Sequence, residues 1–154
     1  MPNTGFRTCP LRAQVDPRLL RFSAGATASV LALVLLIVGV ARPLGLGLLA
    51  SQVAVFALTA FVSFQWSLWA QIFARVIWPR ISAPTELEDA RPHRFGQLVG
   101  FFFTSLALIS FALDVDVAGL ALTAFTFGMA ALNASTGVCL GCKVYLLIRR
   151  LRRA

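Results

Sequence analysis

Cys139 and Cys142, in the run Cys-Leu-Gly-Cys, are two thiols three residues apart where a long apolar stretch meets a basic C-terminal segment. Thiols at that spacing can close a disulfide, pass a persulfide or supply half of a metal site. Just upstream, Asn133-Ala134-Ser135-Thr136-Gly137 is unusually small and polar for the end of an apolar helix. If that run breaks the helix and a new one starts near Ser135 or Thr136, Cys139 falls in its first turn. There the helix dipole favours a thiolate, and Lys143 adds a cation one turn on. Cys139 is then the attacking thiol and Cys142 the resolving one. If the helix instead runs unbroken to about Ile148, both sulfurs lie low in the bilayer and are poorer nucleophiles.

Two other readings of the pair stay open. Cysteine is a small apolar residue common in membrane helices, so the two can be inert packing. They can also join Cys9 and His93 in a zinc site, although the long separations in sequence argue against it. No metal or cofactor is expected. Cys9 is retained as an auxiliary thiol able to join a relay, against the simpler reading of an exposed tail cysteine. His93, the sole histidine, stands between Pro92 and Arg94 and is expected to be an interfacial anchor. Other enzymatic patterns are missing: there is no paired carboxylate inside an apolar stretch, no Ser-His-Asp set, no phosphate loop and no His-Glu-x-x-His. Ion-coupled transport is disfavoured as well, because proton and ion pathways need charges inside the spans.

The elements that must position these thiols are membrane helices. The chain has 154 residues, of which 58% are hydrophobic and 13% charged, and a mean hydropathy of +0.82. That is more apolar surface than a soluble domain of this size can hide. Crossing a hydrocarbon layer of roughly 30 Å takes about 20 helical residues. Four stretches qualify: Phe22 to Ala41, Leu44 to Phe64, Phe95 to Leu113, and Val117 to about Val138, none of which holds Asp, Glu, Lys, Arg or His. The expected fold is therefore an all-α integral membrane four-helix bundle. Asp16-Pro17 reads as a cap that starts the first helix, and Arg42-Pro43 as a tight turn that makes the first two spans antiparallel. Between Trp66 and Ile77 apolar residues recur at helical spacing, which suggests an amphipathic interfacial helix or a continuation of the second span. The segment from Ile81 to Arg94, with Glu86, Glu88 and Asp89, reads as a solvated loop able to meet a soluble partner. Asp114 and Asp116 read as solvated caps of a short turn.

Small residues mark where helices approach. Gly96 and Gly100 form a Gly-x-x-x-Gly pattern, and Gly137 and Gly141 repeat the spacing around the cysteines. The domain reading is a mobile basic tail over 1–21, a four-helix transmembrane domain over 22–142 and a basic tail over 143–154.

The net charge of +8 is better explained by topology than by nucleic acid. Of the 14 cations only Arg42 falls in an outer link; the rest lie before the first span, between the second and third, or after the fourth. By the positive-inside rule those segments, and both termini, are cytoplasmic. No basic and aromatic residues interleave in a nucleic-acid face.

Several of these residues together resemble the bacterial domain of unknown function 4395 family of small membrane proteins. They are Asp16-Pro17-Arg18, the Pro92-x-Arg94-Phe95 run leading into Gly96-x-x-x-Gly100, and Leu132-Asn133-Ala134 leading to Cys139-Leu140-Gly141-Cys142 and Tyr145. The resemblance extends from about Val15 to Leu151, and the cysteine motif is its most specific part. Family members often occur beside or fused to thioredoxin-like and rhodanese-like proteins. The resemblance thus implies thiol redox chemistry or sulfur transfer with a separate soluble partner, in a bacterial cytoplasmic membrane. The alternative is a noncatalytic membrane anchor or assembly subunit whose cysteines only pack.

Overall fold

The computed structural model describes residues 14–62, 67–81 and 88–152. The protein is an all-α bundle. Four of its helices are long and apolar enough to cross a membrane, which makes it a multi-pass membrane protein. They are α1 (Pro17–Ile37), α2 (Arg42–Ala57), α4 (Ala90–Ala112) and α5 (Asp116–Thr136). A π-helical turn, Leu58–Val62, extends α2. The short α3 (Leu68–Ile72) runs on through Phe73–Ile77 to Trp78–Arg80, and α6 (Leu140–Leu151) follows α5 after a break. Two-residue strands, β1 (Gln14–Val15) and β2 (Glu88–Asp89), pair antiparallel and tie the chain before α1 to the chain before α4. Cys9 lies outside the described residues, as do Trp66 and Glu86.

Local chemistry sets each boundary. Asp16 Oδ1 accepts the Arg18 N–H at 2.8 Å, and Pro17, which has no N–H to leave unmade, opens α1. Helix α1 thus begins five residues before the span read from hydropathy, and the N-terminal segment assigned as a mobile tail is helical from Pro17 onward. Ser67, with an extended backbone, precedes α3, so the amphipathic stretch starts as a new helix. Phe73 and Ala70 turn inward against Phe22 and Leu20 of α1, while Leu68 and Val76 stay exposed.

Both hairpins are antiparallel. Helix α1 packs on α2 and α5, and α4 packs on α2, α5 and α6. Lipid is as apolar as leucine, so close packing and polar pairs, not water exclusion, hold such helices together. The core accordingly combines Leu31, Val34, Leu49, Ala107 and Phe111 with buried polar groups. Gln52 donates to Thr27 Oγ1 at 3.2 Å across α1 and α2, a bond worth about 0.6 kcal/mol in a membrane interior. Thr104 and Thr123 return their hydroxyls to carbonyls one turn back, at 2.8 and 2.7 Å, so neither leaves an unmade donor in the core.

At the end of the bundle away from the cysteines, Arg42 reaches Asp114 at 2.7 Å, Asp116 at 3.0 Å and the Phe111 carbonyl at 2.6 Å. The two aspartates are therefore ion-paired partners rather than solvated caps. Sequence spacing did not indicate this, because the two hairpin turns meet only in the folded bundle. The pairs remain largely exposed, so their stabilisation stays below about 1 kcal/mol.

Candidate functional site

The cysteines sit at a designed interruption of the backbone. Helix α5 ends at Thr136, and Gly137 takes the left-handed conformation, φ 72°, with its N–H bonded to the Asn133 carbonyl at 2.9 Å. A side chain at that angle would cost about 1–2 kcal/mol, so glycine is the residue that ends the helix there. The Thr136 hydroxyl accepts the Val138 N–H at 3.1 Å, just past the end of the helix. Arg21 donates to the Ser135 and Ala134 carbonyls, at 2.9 and 3.4 Å, meeting the unpaired acceptors of the α5 terminus. The helix restarts only at Leu140, later than Ser135 or Thr136, because Gly137 stops α5 after those residues. Gly137 thus acts through its backbone angle. The nearest atom that a side chain there would meet, on Arg21, is 3.8 Å away, so this glycine is not a helix-packing position.

Cys139 becomes the N-cap of α6, and its Sγ accepts the Cys142 N–H at 3.2 Å. The two sulfurs are joined as a disulfide, with Cα atoms 5.2 Å apart. A cap sulfur at a helix N-terminus faces unpaired N–H groups, and these stabilise negative charge there once the pair is reduced. Both cysteines are half-buried. Lys143 is exposed, and its backbone N–H closes the first turn on the Cys139 carbonyl at 3.1 Å. The C-terminal segment read as a basic tail is helical through Leu151. Tyr145 lies against Phe95 at 5.7 Å between ring centroids, while Leu147 and Leu151 face outward beside Arg149 and Arg150.

Glycines fix how closely α6 crosses α4. A methyl group on Gly141 would lie 2.7 Å from the Gly96 Cα, and one on Gly96 would lie 3.2 Å from the Cys139 sulfur. Gly100, one turn deeper, lies beneath the Phe56 ring, 2.8 Å from where a methyl would project. The Gly96–Gly100 face thus serves two neighbours: α6 at its start and α2 further in.

His93 belongs to this site and is not an interfacial anchor. It is 4% exposed, on the face of α4 that continues through Gln97, Gly100, Thr104, Ala107 and Phe111. Its Nε2 lies 3.2 Å from Gln97 Nε2. The ligand atoms of His93, Cys139 and Cys142 all lie within 4.8 Å of one another. The hydropathy reading began this helix at Phe95 and so lost its first turn, whereas α4 begins at Ala90. A usable signal was present: His93, Gly96, Gln97 and Gly100 recur at three- and four-residue spacing, and Pro92 is tolerated in a first turn. A cavity of about 70 Å³ beside the disulfide is lined by His93, Gln97, Asn133 and Cys139 together with the apolar Phe56, Phe103 and Met129. It is roomy enough for water and polar enough to hold it.

Comparison with known proteins places this geometry in a family. The family described as "Domain of unknown function (DUF4395)" matches residues 15–150. The chain belongs to that family. The match includes the capped start of α1, the glycine face of α4 and the Cys139/Cys142 turn, so the whole described bundle is the DUF4395 domain. No curated protein and no solved structure shows significant similarity to the chain.

The cap angle gives a direct test of why the break exists. Gly137→Ala is expected to lower the stability of the detergent-solubilised protein by about 1–2 kcal/mol, and Gly137→Asn by less, since asparagine tolerates the left-handed region. A thermal melt of Gly137→Ala equal to wild type would show that the turn does not need glycine.

Proposed function

We propose that this DUF4395 protein is a membrane-embedded dithiol carrier that exchanges electrons or sulfur with a soluble thioredoxin-like or rhodanese-like protein through Cys139 and Cys142. The observation that carries the reading is the pairing of the two sulfurs at the N-terminus of α6, beside a polar cavity at one end of the bundle. A purely structural disulfide gains most by closing a long loop, and this one spans three residues. On this reading the protein lies in the bacterial cytoplasmic membrane, with both termini and the disulfide on the cytoplasmic side, where cations are concentrated and soluble partners are available.

The exchange follows from the caps. In the reduced protein the Cys139 thiolate, favoured by the α6 terminus, attacks a partner disulfide. One partner sulfur joins Cys139 in a mixed disulfide, and the other leaves as a thiolate that takes up a proton. Cys142, deprotonated, then attacks Cys139 Sγ, re-forms the intramolecular disulfide and expels the first partner sulfur. Two electrons pass to the partner, and the reverse sequence returns them. For sulfur transfer, Cys139 attacks the outer sulfur of a partner persulfide. It takes that sulfur as its own persulfide and releases the partner thiolate. Asn133 and Lys143 flank the path, the first at the cavity wall and the second in solvent.

The test removes the resolving thiol. Cys142→Ser, expressed in cells and quenched with acid, is expected to accumulate a mixed disulfide or persulfide on Cys139, visible as a reductant-sensitive adduct. Cys139→Ser is expected to accumulate little. Absence of adducts from both variants, with normal thiol and sulfur metabolism in cells carrying the double serine variant, would replace this reading with the noncatalytic anchor.

A further inference from the structure

We propose that, once reduced, Cys139 and Cys142 together with His93 bind a thiophilic divalent metal ion of the zinc class. This is a second state of the same turn, and it depends on the proposed exchange only in requiring that the disulfide can be opened.

His93 comes from the first turn of α4, while the thiols come from the cap and first turn of α6, so the histidine is far from the thiols in sequence. The Gly96–Gly141 contact joins these two elements, and their ligand atoms fall within 4.8 Å of one another. Around zinc, with bonds of about 2.3 Å to sulfur and 2.0–2.1 Å to nitrogen, ligand atoms stand roughly 3.3–3.8 Å apart. Opening the disulfide frees both sulfurs to reach such positions by side-chain rotation alone.

The His93 ring is 4% exposed beside the two sulfurs, and the Gln97 amide lies 3.2 Å from its Nε2. With the Gln97 amide turned over, its Oε1 accepts the Nε2 proton, and an outer acceptor of that kind orients an imidazole so that the other ring nitrogen presents its lone pair to a metal. Gln97 and Asn133 line the adjoining cavity and bring further polar atoms to the side of the site.

Charge selects the class of ion. No acidic residue lines the cavity among the described residues, so two thiolates alone would place two negative charges in a half-buried, low-dielectric pocket. A divalent ion cancels both, whereas a monovalent ion leaves one uncompensated. Binding therefore releases the two thiol protons and forms two metal–sulfur bonds and one metal–nitrogen bond, with no change in oxidation state. The disulfide form has no thiolate to offer. Oxidation must expel the ion, so metal uptake and thiol exchange exclude each other on this turn.

The test uses the full chain in detergent, reduced with a phosphine under anaerobic conditions and freed of excess reductant. Cobalt(II) serves as the spectroscopic stand-in for zinc. The reduced protein is expected to take up one equivalent, with thiolate-to-cobalt charge-transfer bands and strong visible bands, and zinc(II) is expected to displace it. The oxidised wild-type protein, which keeps every side chain, should bind none. His93→Gln should weaken cobalt binding by at least about tenfold; its fold is checked by its ability to re-form the disulfide. The proposal is overturned if the reduced wild type shows no stoichiometric cobalt binding, if His93→Gln binds as wild type does, or if only copper(I) binds. A reduced wild type that binds no cobalt, while the Cys142→Ser variant still forms mixed disulfides, would leave the exchange reading standing and sink this one alone.

Discussion

Gly141→Leu is expected to separate α6 from α4 and to be strongly destabilising, as is Gly45→Leu, whose side chain would likewise meet backbone, at the Val38 Cα. At Gly141 the first atom of any side chain would meet the Gly96 Cα at 2.7 Å, and a backbone atom cannot rotate away. Carbon atoms need roughly 3.5–4.0 Å, so even alanine pushes the two helices apart by about 1 Å. Overpacking of this kind costs about 1–3 kcal/mol, with leucine at the upper end or beyond it. Gly100→Leu meets the Phe56 ring at a similar distance, but a ring can turn, so its cost should be smaller. Gly128 has nothing within 4 Å of where a methyl would project, and Gly128→Ala is the matched control, expected to melt as wild type or slightly higher. Thermal denaturation in detergent separates these outcomes. The Gly141 variants should also lose the 4.8 Å grouping of His93 with the cysteines, so they should still form the disulfide when oxidised but fail to bind cobalt(II) when reduced. Equal melting of Gly141→Leu and Gly128→Ala would mean that α6 is not held against α4.

That contact illustrates what could and could not be read from the chain. The four spans, both hairpins and the interruption before Cys139 were legible because each rests on local chemistry: an apolar run, a Pro next to a cap, and a polar stretch ending in glycine. The ends of the spans were not. Hydropathy ends a helix where charge begins, yet Arg94 lies inside α4 and donates to the Ala60 carbonyl at 2.9 Å. Arg21 in the same way serves the end of α5. Arginine thus belongs to the helix ends here, meeting carbonyls that the π-turn of α2 and the cap of α5 leave exposed. By discounting those turns, the sequence reading ranked His93 as an interfacial anchor above a partner of the cysteines. The pairing of Arg42 with Asp114 and Asp116 was lost for a different reason: no local pattern links two turns more than 70 residues apart.

The same arginines make the sidedness of the thiols an all-or-none expectation. The cysteine turn shares its end of the bundle with Arg21 at the α5 terminus and Arg94 at the α2 terminus. The opposite end holds Arg42 between Asp114 and Asp116, which leaves one net negative charge among those three residues. Because Lys and Arg in short flanking segments set orientation, and the other cations among the described residues belong to the segments on the cysteine side of the spans, the reversed topology should be essentially unpopulated. An impermeant maleimide should therefore label the phosphine-reduced pair in inside-out membrane vesicles and fail to label it in intact cells with a permeabilised outer envelope. With Cys9 replaced by serine so that only the pair is read, unreduced vesicles should give no signal, since the two sulfurs are joined. Reporter fusions within 81–94 should report cytoplasm, and fusions at Arg42-Pro43 the outside. Labelling of the thiols from outside would put the turn on the oxidising face, where a disulfide persists and reducing partners are scarce. It would end the exchange reading in its cytoplasmic form, because neither a thioredoxin-like nor a rhodanese-like cytoplasmic protein could then reach Cys139.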